Sequence, residues 1–177
     1  MGLVSIENGI KTELTADAAA ESLNLPKIYT ITYTPSGIQT LSDIYAVVSG
    51  STVSYTPRYG SGLSVIVFEY SVMAYAYYDA AEGEYWPATG TIHYVPQRDS
   101  VNLGDWKQTE DIGVDQHRRI TMSCAVSSWG TTSATLRWTA RRYSSLYPVN
   151  LFQIAYSDGA SSSLLSPAIL KITETKL

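Results

Sequence analysis

One cysteine, two histidines and two phenylalanines are all that this 177-residue chain carries of those three types. The lone Cys124 excludes an intramolecular disulfide framework and a Cys-rich metal site. It lies in an alternating stretch, Ile120 to Val126, and reads as a small buried residue. Charge is equally scarce, 16% of residues against roughly 25% in ordinary soluble domains. The formal net charge of −4 leaves no general basic footprint for holding phosphates, so nucleic acid is not an expected partner. Arg118-Arg119 and Arg137, Arg141-Arg142 fall on strands expected to be neighbours. Alternation splits each set between faces, which suits solvated surfaces or subunit ion pairs better than a nucleic-acid site. No apolar run approaches the ~18 to 20 residues of a membrane span, and the amino terminus lacks a basic region followed by an apolar one. Neither a membrane partner nor an export signal is expected.

What replaces charge is hydroxyl. The chain holds 22 Ser and 18 Thr, and 14 Tyr supply aromatic area with a polar tip. Such a surface suits packed, partly wet contacts. From Met1 to about Lys27 the sequence is polar, with apolar residues only at intervals. Thr15 followed by Ala16-Asp17-Ala18-Ala19-Ala20-Glu21 has the N-cap, acidic first turn and helix formers of one or two helical turns. Residues 1–27 therefore read as an arm, extended or briefly helical.

After Pro26 the texture changes to short runs rich in Tyr, Val, Ile and Thr, punctuated by Gly, Pro and Ser. This predicts an all-β fold over residues 28–177, an antiparallel β-sandwich of jelly-roll-like type with about nine strands. The expected strands are 28–34, 44–48, 52–55, 64–78, 90–95, 118–126, 134–140, 149–156 and 168–173. In Ala134 to Arg141, Thr135, Arg137, Thr139 and Arg141 alternate with Ala134, Leu136, Trp138 and Ala140, which assigns the second set to the core. Residues 64–78 are apolar on both faces, as in a strand covered on both sides. From Pro96 to about Gln116 the chain reads as one long, acidic, irregular loop, and loops of that length tend to carry function.

Catalytic chemistry finds little support. His93 sits in a strand pattern and His117 beside Arg118, neither in a ligand-spaced cluster, so both read as hydrogen-bonded structural residues. Asp99, Asn102, Asp105 and Asp111 offer oxygens to Ca²⁺, but their spacing matches no EF-hand, and no metal or other cofactor is expected. Glu69 and Glu84 are the only acids worth weighing as a glycosidase pair. No phosphate loop, dinucleotide fingerprint or nucleophile elbow occurs. The chain is expected not to be an enzyme. Tyr85, Trp86, Trp106 and Trp129 fall in or beside loops, where they are candidates for stacking on sugars, although packing at loop bases is the more ordinary role.

Gly50 to Val65, with its Ser-Tyr-Thr-Pro before a Gly-Ser-Gly turn and an apolar strand, resembles a recurring element of bacteriophage virion proteins, especially those of phages with marine and cyanobacterial hosts. Thr132 to Tyr143, Tyr147 to Asn150 and Leu164 to Glu174 resemble the last strands of the same proteins. The resemblance implies a virion β-sandwich, found both as fibre tips and as capsid decorations. With about 27 residues before the first expected strand, it favours a capsid decoration or cement protein on the outer surface of the virion. By analogy such a protein is a homotrimer, bound to the major capsid protein or another virion protein through Leu3, Val4, Ile6, Ile10 and Leu14 of the arm. The alternative is a trimeric tail-fibre or spike tip that recognises host-surface glycan.

Overall fold

The computed structural model describes residues 4–7, 10–13, 25–32, 38–77, 89–103, 108–114, 116–143, 147–152 and 167–177. It is all-β, with no helix among those residues. In the arm, β1 (Val4–Glu7) and β2 (Ile10–Glu13) pair antiparallel as a separate two-stranded sheet. The helical turns expected after Thr15 lie outside the described residues.

Twelve further strands form two six-stranded antiparallel sheets that enclose one core. They are β3 (Lys27–Thr32), β4 (Ile38–Thr40), β5 (Ala46–Val47), β6 (Val53–Tyr55), β7 (Ser64–Ala76), β8 (Thr89–Arg98), β9 (Val101–Asn102), β10 (Gln108–Gly113), β11 (Gln116–Ser127), β12 (Ala134–Arg142), β13 (Val149–Phe152) and β14 (Ile169–Lys176). In the first sheet β7 is the spine. β11 pairs with one of its edges, and β14 then β13 share the other, with β3 and β4 outermost. In the second sheet β8 and β12 are central, flanked by β10 and β9 on one side and by β5 and β6 on the other.

Period-2 patterning explains the core. Along β7, Ile66, Phe68, Tyr70, Val72, Ala74 and Ala76 are all fully buried, while Val65, Val67, Glu69 and Ser71 between them keep partial exposure. Only around Val72 to Ala74 is the strand buried on both sides, a shorter doubly covered stretch than its composition suggested. Facing it, Leu136, Trp138 and Ala140 of β12 are fully buried, as alternation required. Trp138 stacks on Phe68 of the opposite sheet at 5.6 Å between ring centres and meets the edge of Tyr94 in its own sheet at 5.8 Å, so one aromatic contact bridges the sheets and a second braces it.

β12 changes partner from β6 to β5 beside Trp138, and the backbone there would lose a ladder bond. The buried Ser51 side chain fills the gap: its hydroxyl accepts from Trp138 N at 3.0 Å and donates to Val48 O at 2.7 Å. Gly90 marks the closest approach of β8 to the first sheet. A side-chain carbon there would stand 2.6 Å from Ala76 Cβ and 2.9 Å from a Val149 methyl.

Two sequence expectations are corrected. Residues 96–116 are not one irregular loop, because β8 runs on to Arg98 and turns through Asp99 and Ser100 into β9, and β10 follows. Asp99 and Ser100 have φ of 49° and 71°, the conformation of a two-residue hairpin turn usually signalled by Asn-Gly. Arg118-Arg119 and Arg137, Arg141-Arg142 are not on neighbouring strands either, since β11 belongs to the first sheet and β12 to the second. Adjacent in sequence, the two strands cross the sandwich between them.

Candidate functional site

Of the residues expected to anchor the arm, Val4 and Ile6 lie in β1 and Ile10 in β2, while Leu3 and Leu14 lie outside the described residues. Tyr85, Trp86 and Trp106 also lie outside them. Trp129 can be placed, in the connection between β11 and β12 at one end of the sandwich. It is half-buried and already well occupied. Its Nε1 donates to Thr132 O at 2.9 Å, the Arg98 guanidinium lies 5.2 Å from its ring centre, and Tyr55 meets it edge-on at 6.5 Å. That packing gives it the role of a loop base.

Beneath this end lies a buried carboxylate. Strand alternation continues Leu170 and Ile172 into Glu174, which is inward-facing and fully buried. Four donors meet it: Tyr55 Oη at 2.8 Å, Arg58 N at 2.8 Å, Ser64 Oγ at 2.7 Å and Tyr59 N at 3.4 Å. Burial alone would push its pKa up, but these hydrogen bonds outweigh burial and hold it below the usual glutamate value. Burial, and then the bond to Glu174, pushes the Tyr55 phenol well above its ordinary value. Lys27 lies 5.7 Å from the Tyr55 ring centre and Lys176 5.5 Å from that of Tyr59, which closes the cluster at its rim. Glu174 ties the β6–β7 connection to the C-terminal strand. With every donor spent on holding loops, it is a structural latch. The sequence expectation ended this strand at Thr173, three residues short of Lys176 and so before Glu174; the signal available was the parity of 170, 172 and 174.

The remaining chemical candidates are dispersed. Among the described acidic-segment residues, Asp99 Oδ1 accepts from Thr135 N, Asn102 Oδ1 from Gln97 and Asp111 Oδ1 from Thr91, each at 2.7 to 2.9 Å. Asp105 lies outside the described residues, as does Glu84. No group of three or more His, Cys, Asp or Glu side chains gathers among the described residues. Glu69 pairs with Lys171 at 3.5 Å on the outside of the first sheet. His117 stacks on Tyr75 at 4.5 Å and His93 lies against Tyr143 at 5.2 Å. Cys124 is partly buried against the core, and burial pushes its thiol pKa up to about 12.

The most distinctive surface is an edge. Of the eleven large apolar or tyrosine side chains exposed among the described residues, seven lie where β3, β4 and β5 border the two sheets: Leu25, Ile28, Tyr29, Ile38, Ile44, Tyr45 and Val47. The two borders are joined by Gln39 of β4, which donates to Val47 O and accepts from Ser49 N, both at 2.8 Å. Among the described residues no further strand pairs along this border, and an apolar strand edge of this kind is what soluble monomers avoid, its usual use being association.

No family model matches this chain, and no curated protein matches it. Among solved structures, it is similar to the C-terminal domain of EclA, a sugar-binding protein, at 9% identity over 71% of this chain and 74% of that one, with a TM-score of 0.35. It is similar to the CBM36-1 domain of a multidomain xylanase from the hindgut metagenome of Trinervitermes trinervoides at 13% identity, covering 82% and 96% of the two chains, with a TM-score of 0.33. The structure of infectious bursal disease virus Gx strain is matched at 9% identity over all of this chain and 42% of that one, with a TM-score of 0.31. These are weak structural neighbours, and none is near enough to assign a family. Among the described residues no helix is long and apolar enough to cross a membrane.

Proposed function

We propose that this chain is a non-catalytic structural protein of a virion, a capsid decoration or cement subunit that self-associates through the apolar β3–β4–β5 edge. The observation that carries the reading is the gathering of seven exposed apolar and tyrosine side chains on that one border. The phage-like segments Gly50 to Val65, Thr132 to Tyr143, Tyr147 to Asn150 and Leu164 to Glu174 support the virion setting. In this reading the edge joins subunits into a trimer, and the arm, with Leu3, Val4, Ile6, Ile10 and Leu14, holds the capsid.

Co-sedimentation with undecorated phage heads, run beside binding to intact host cells, tests the proposal. The expected result is head binding without cell binding. Deleting Met1 to Leu14 should abolish attachment while the sandwich stays folded, and Ile28→Lys with Ile44→Lys should convert the oligomer to monomer in sedimentation velocity. Binding to cells alone, or a wild-type chain that is monomeric at working concentration, would overturn it.

The second reading is a receptor-binding tip that recognises host-surface glycan. Trp129 is too fully engaged to carry it. The observation in its favour is a cluster of planar side chains, Arg141, His93 and Tyr143, on the outside of the second sheet, with Tyr45 against Arg141.

A further inference from the structure

Leu136, Trp138 and Ala140 of β12 point into the core, so alternation sends Arg137, Arg141 and Tyr143 to the outer face of the second sheet. Residues directly opposite in an antiparallel pair share a face. Gln97 and His93 of β8, the partners of Arg137 and Arg141, therefore stand beside them. The Arg141 guanidinium lies 5.2 Å from the ring centre of Tyr45, and the His93 ring 5.2 Å from that of Tyr143. Arg141, His93 and Tyr143 thus cluster on this face, with Tyr45 against Arg141 at the β5 border, and Tyr143 is 66% exposed. Four residues along β12, about 13 Å at the rise of a strand, Arg137 Nε donates to Gln97 Oε1 at 2.8 Å, and Gln97 Nε2 donates to Asn102 at 2.9 Å.

The charge on this face runs against that of the molecule. The chain is formally −4, yet among the described residues neither guanidinium meets a carboxylate. Arg141 gives one hydrogen bond, to Asp43 O at 3.4 Å, and its buried Nε has no acceptor. Asp111 is on the outermost strand, β10, where it accepts from Thr91. Two cations fixed on a rigid sheet, neither in an ion pair among the described residues, suit an anionic ligand.

We infer that this face binds a carboxylated glycan. The inference rests on the second reading above and deepens it by naming the ligand's chemistry. Guanidinium groups take carboxylates in paired hydrogen bonds, flat rings suit the C–H faces of sugars, and the Gln97–Asn102 amides suit hydroxyls. A protein partner would instead need an apolar centre, and on this molecule the apolar surface is the β3–β4–β5 edge.

Affinity electrophoresis of the full chain through gels holding polygalacturonate, dextran or polyglutamate tests it. Polygalacturonate should retard the protein, less so as salt rises. Arg141→Ala should weaken retardation about tenfold, the scale of one lost charge-assisted contact, and Tyr143→Ala should weaken it through the lost ring face. Arg137→Gln provides an independent variant should Arg141→Ala fail to fold, and melting temperatures identify that case. Equal retardation by dextran would overturn the acidic ligand class and leave a glycan-binding tip standing. Equal retardation by polyglutamate, untouched by Tyr143→Ala, would replace the glycan with an acidic protein. No retardation in any gel would remove both the inference and the reading beneath it.

Discussion

The middle of β12 and the far end of β14 are both buried, and they are held by opposite means. Around Trp138 the chain places large apolar groups between the sheets, with aromatic contacts to Phe68 and Tyr94. Around Glu174 it buries a carboxylate and surrounds it with four donors from the end of β6, the β6–β7 connection and the start of β7. The first region depends on volume and tolerates little loss of it. The second depends on donors and acceptors being matched, because a buried polar group without its partner is costly. One builds the sandwich; the other fixes how a connection lies over its end.

The largest effect should come from the apolar region. Trp138→Ala should lower unfolding free energy by about 3 to 5 kcal/mol, measured by urea denaturation with an unchanged m-value. A loss under about 1 kcal/mol would mean that the indole is not between the sheets. Glu174→Ala should cost somewhat less, about 2 to 3 kcal/mol, through the donors it strands.

The two regions should also separate in acid. Glu174 has its pKa depressed in the folded state, so its stabilising contribution is complete above the ordinary glutamate range. It is lost as the pH falls through that range and on through the depressed folded value. Melting temperature should therefore fall on acidification in the wild type and in Trp138→Ala alike, and fall less steeply in Glu174→Gln. Parallel pH profiles for all three proteins would show that the carboxylate is not the latch. The smallest effect concerns Cys124. With its thiol pushed up to about 12 by burial, alkylation at pH 7.5 should be slow in the native protein and fast in denaturant. Rapid native labelling would contradict the packing of β11 against the core.

These regions were unequally legible in the sequence. β12 announced itself, since Ala134, Leu136, Trp138 and Ala140 alternate cleanly with polar neighbours and both the strand and its inner face follow from period 2. Glu174 did not, because a glutamate three residues before a polar terminus reads as solvated until Tyr55, Ser64 and two backbone N–H groups are known to converge on it. β10 was missed for a related reason. An outermost strand of sequence QTEDIG buries only Ile112 and leaves almost no apolar pattern. The β8–β9 hairpin was hidden by Asp99-Ser100, which adopts a turn that Asn-Gly would have advertised. Of the sugar-stacking candidates, Trp129 was found by type and loop position, but only its contacts showed that the ring is already engaged. The cluster on the second sheet was visible only as scattered Arg, His and Tyr.

The sequence by itself determined the all-β class, the inward face of the central strands and the shortage of charge, because each is a local property of composition or of a two-residue period. Tertiary structure decided which strands are neighbours, and so which side chains meet. It parted Arg118-Arg119 from Arg137 and Arg141 by sending β11 and β12 to different sheets, and it brought Glu174 to Tyr55 across 119 residues of chain. It also collected seven of the eleven exposed large apolar or tyrosine side chains of the described residues on one edge. Those pairings follow from sheet topology, which is set by how the whole core closes and which no window of a few residues can contain.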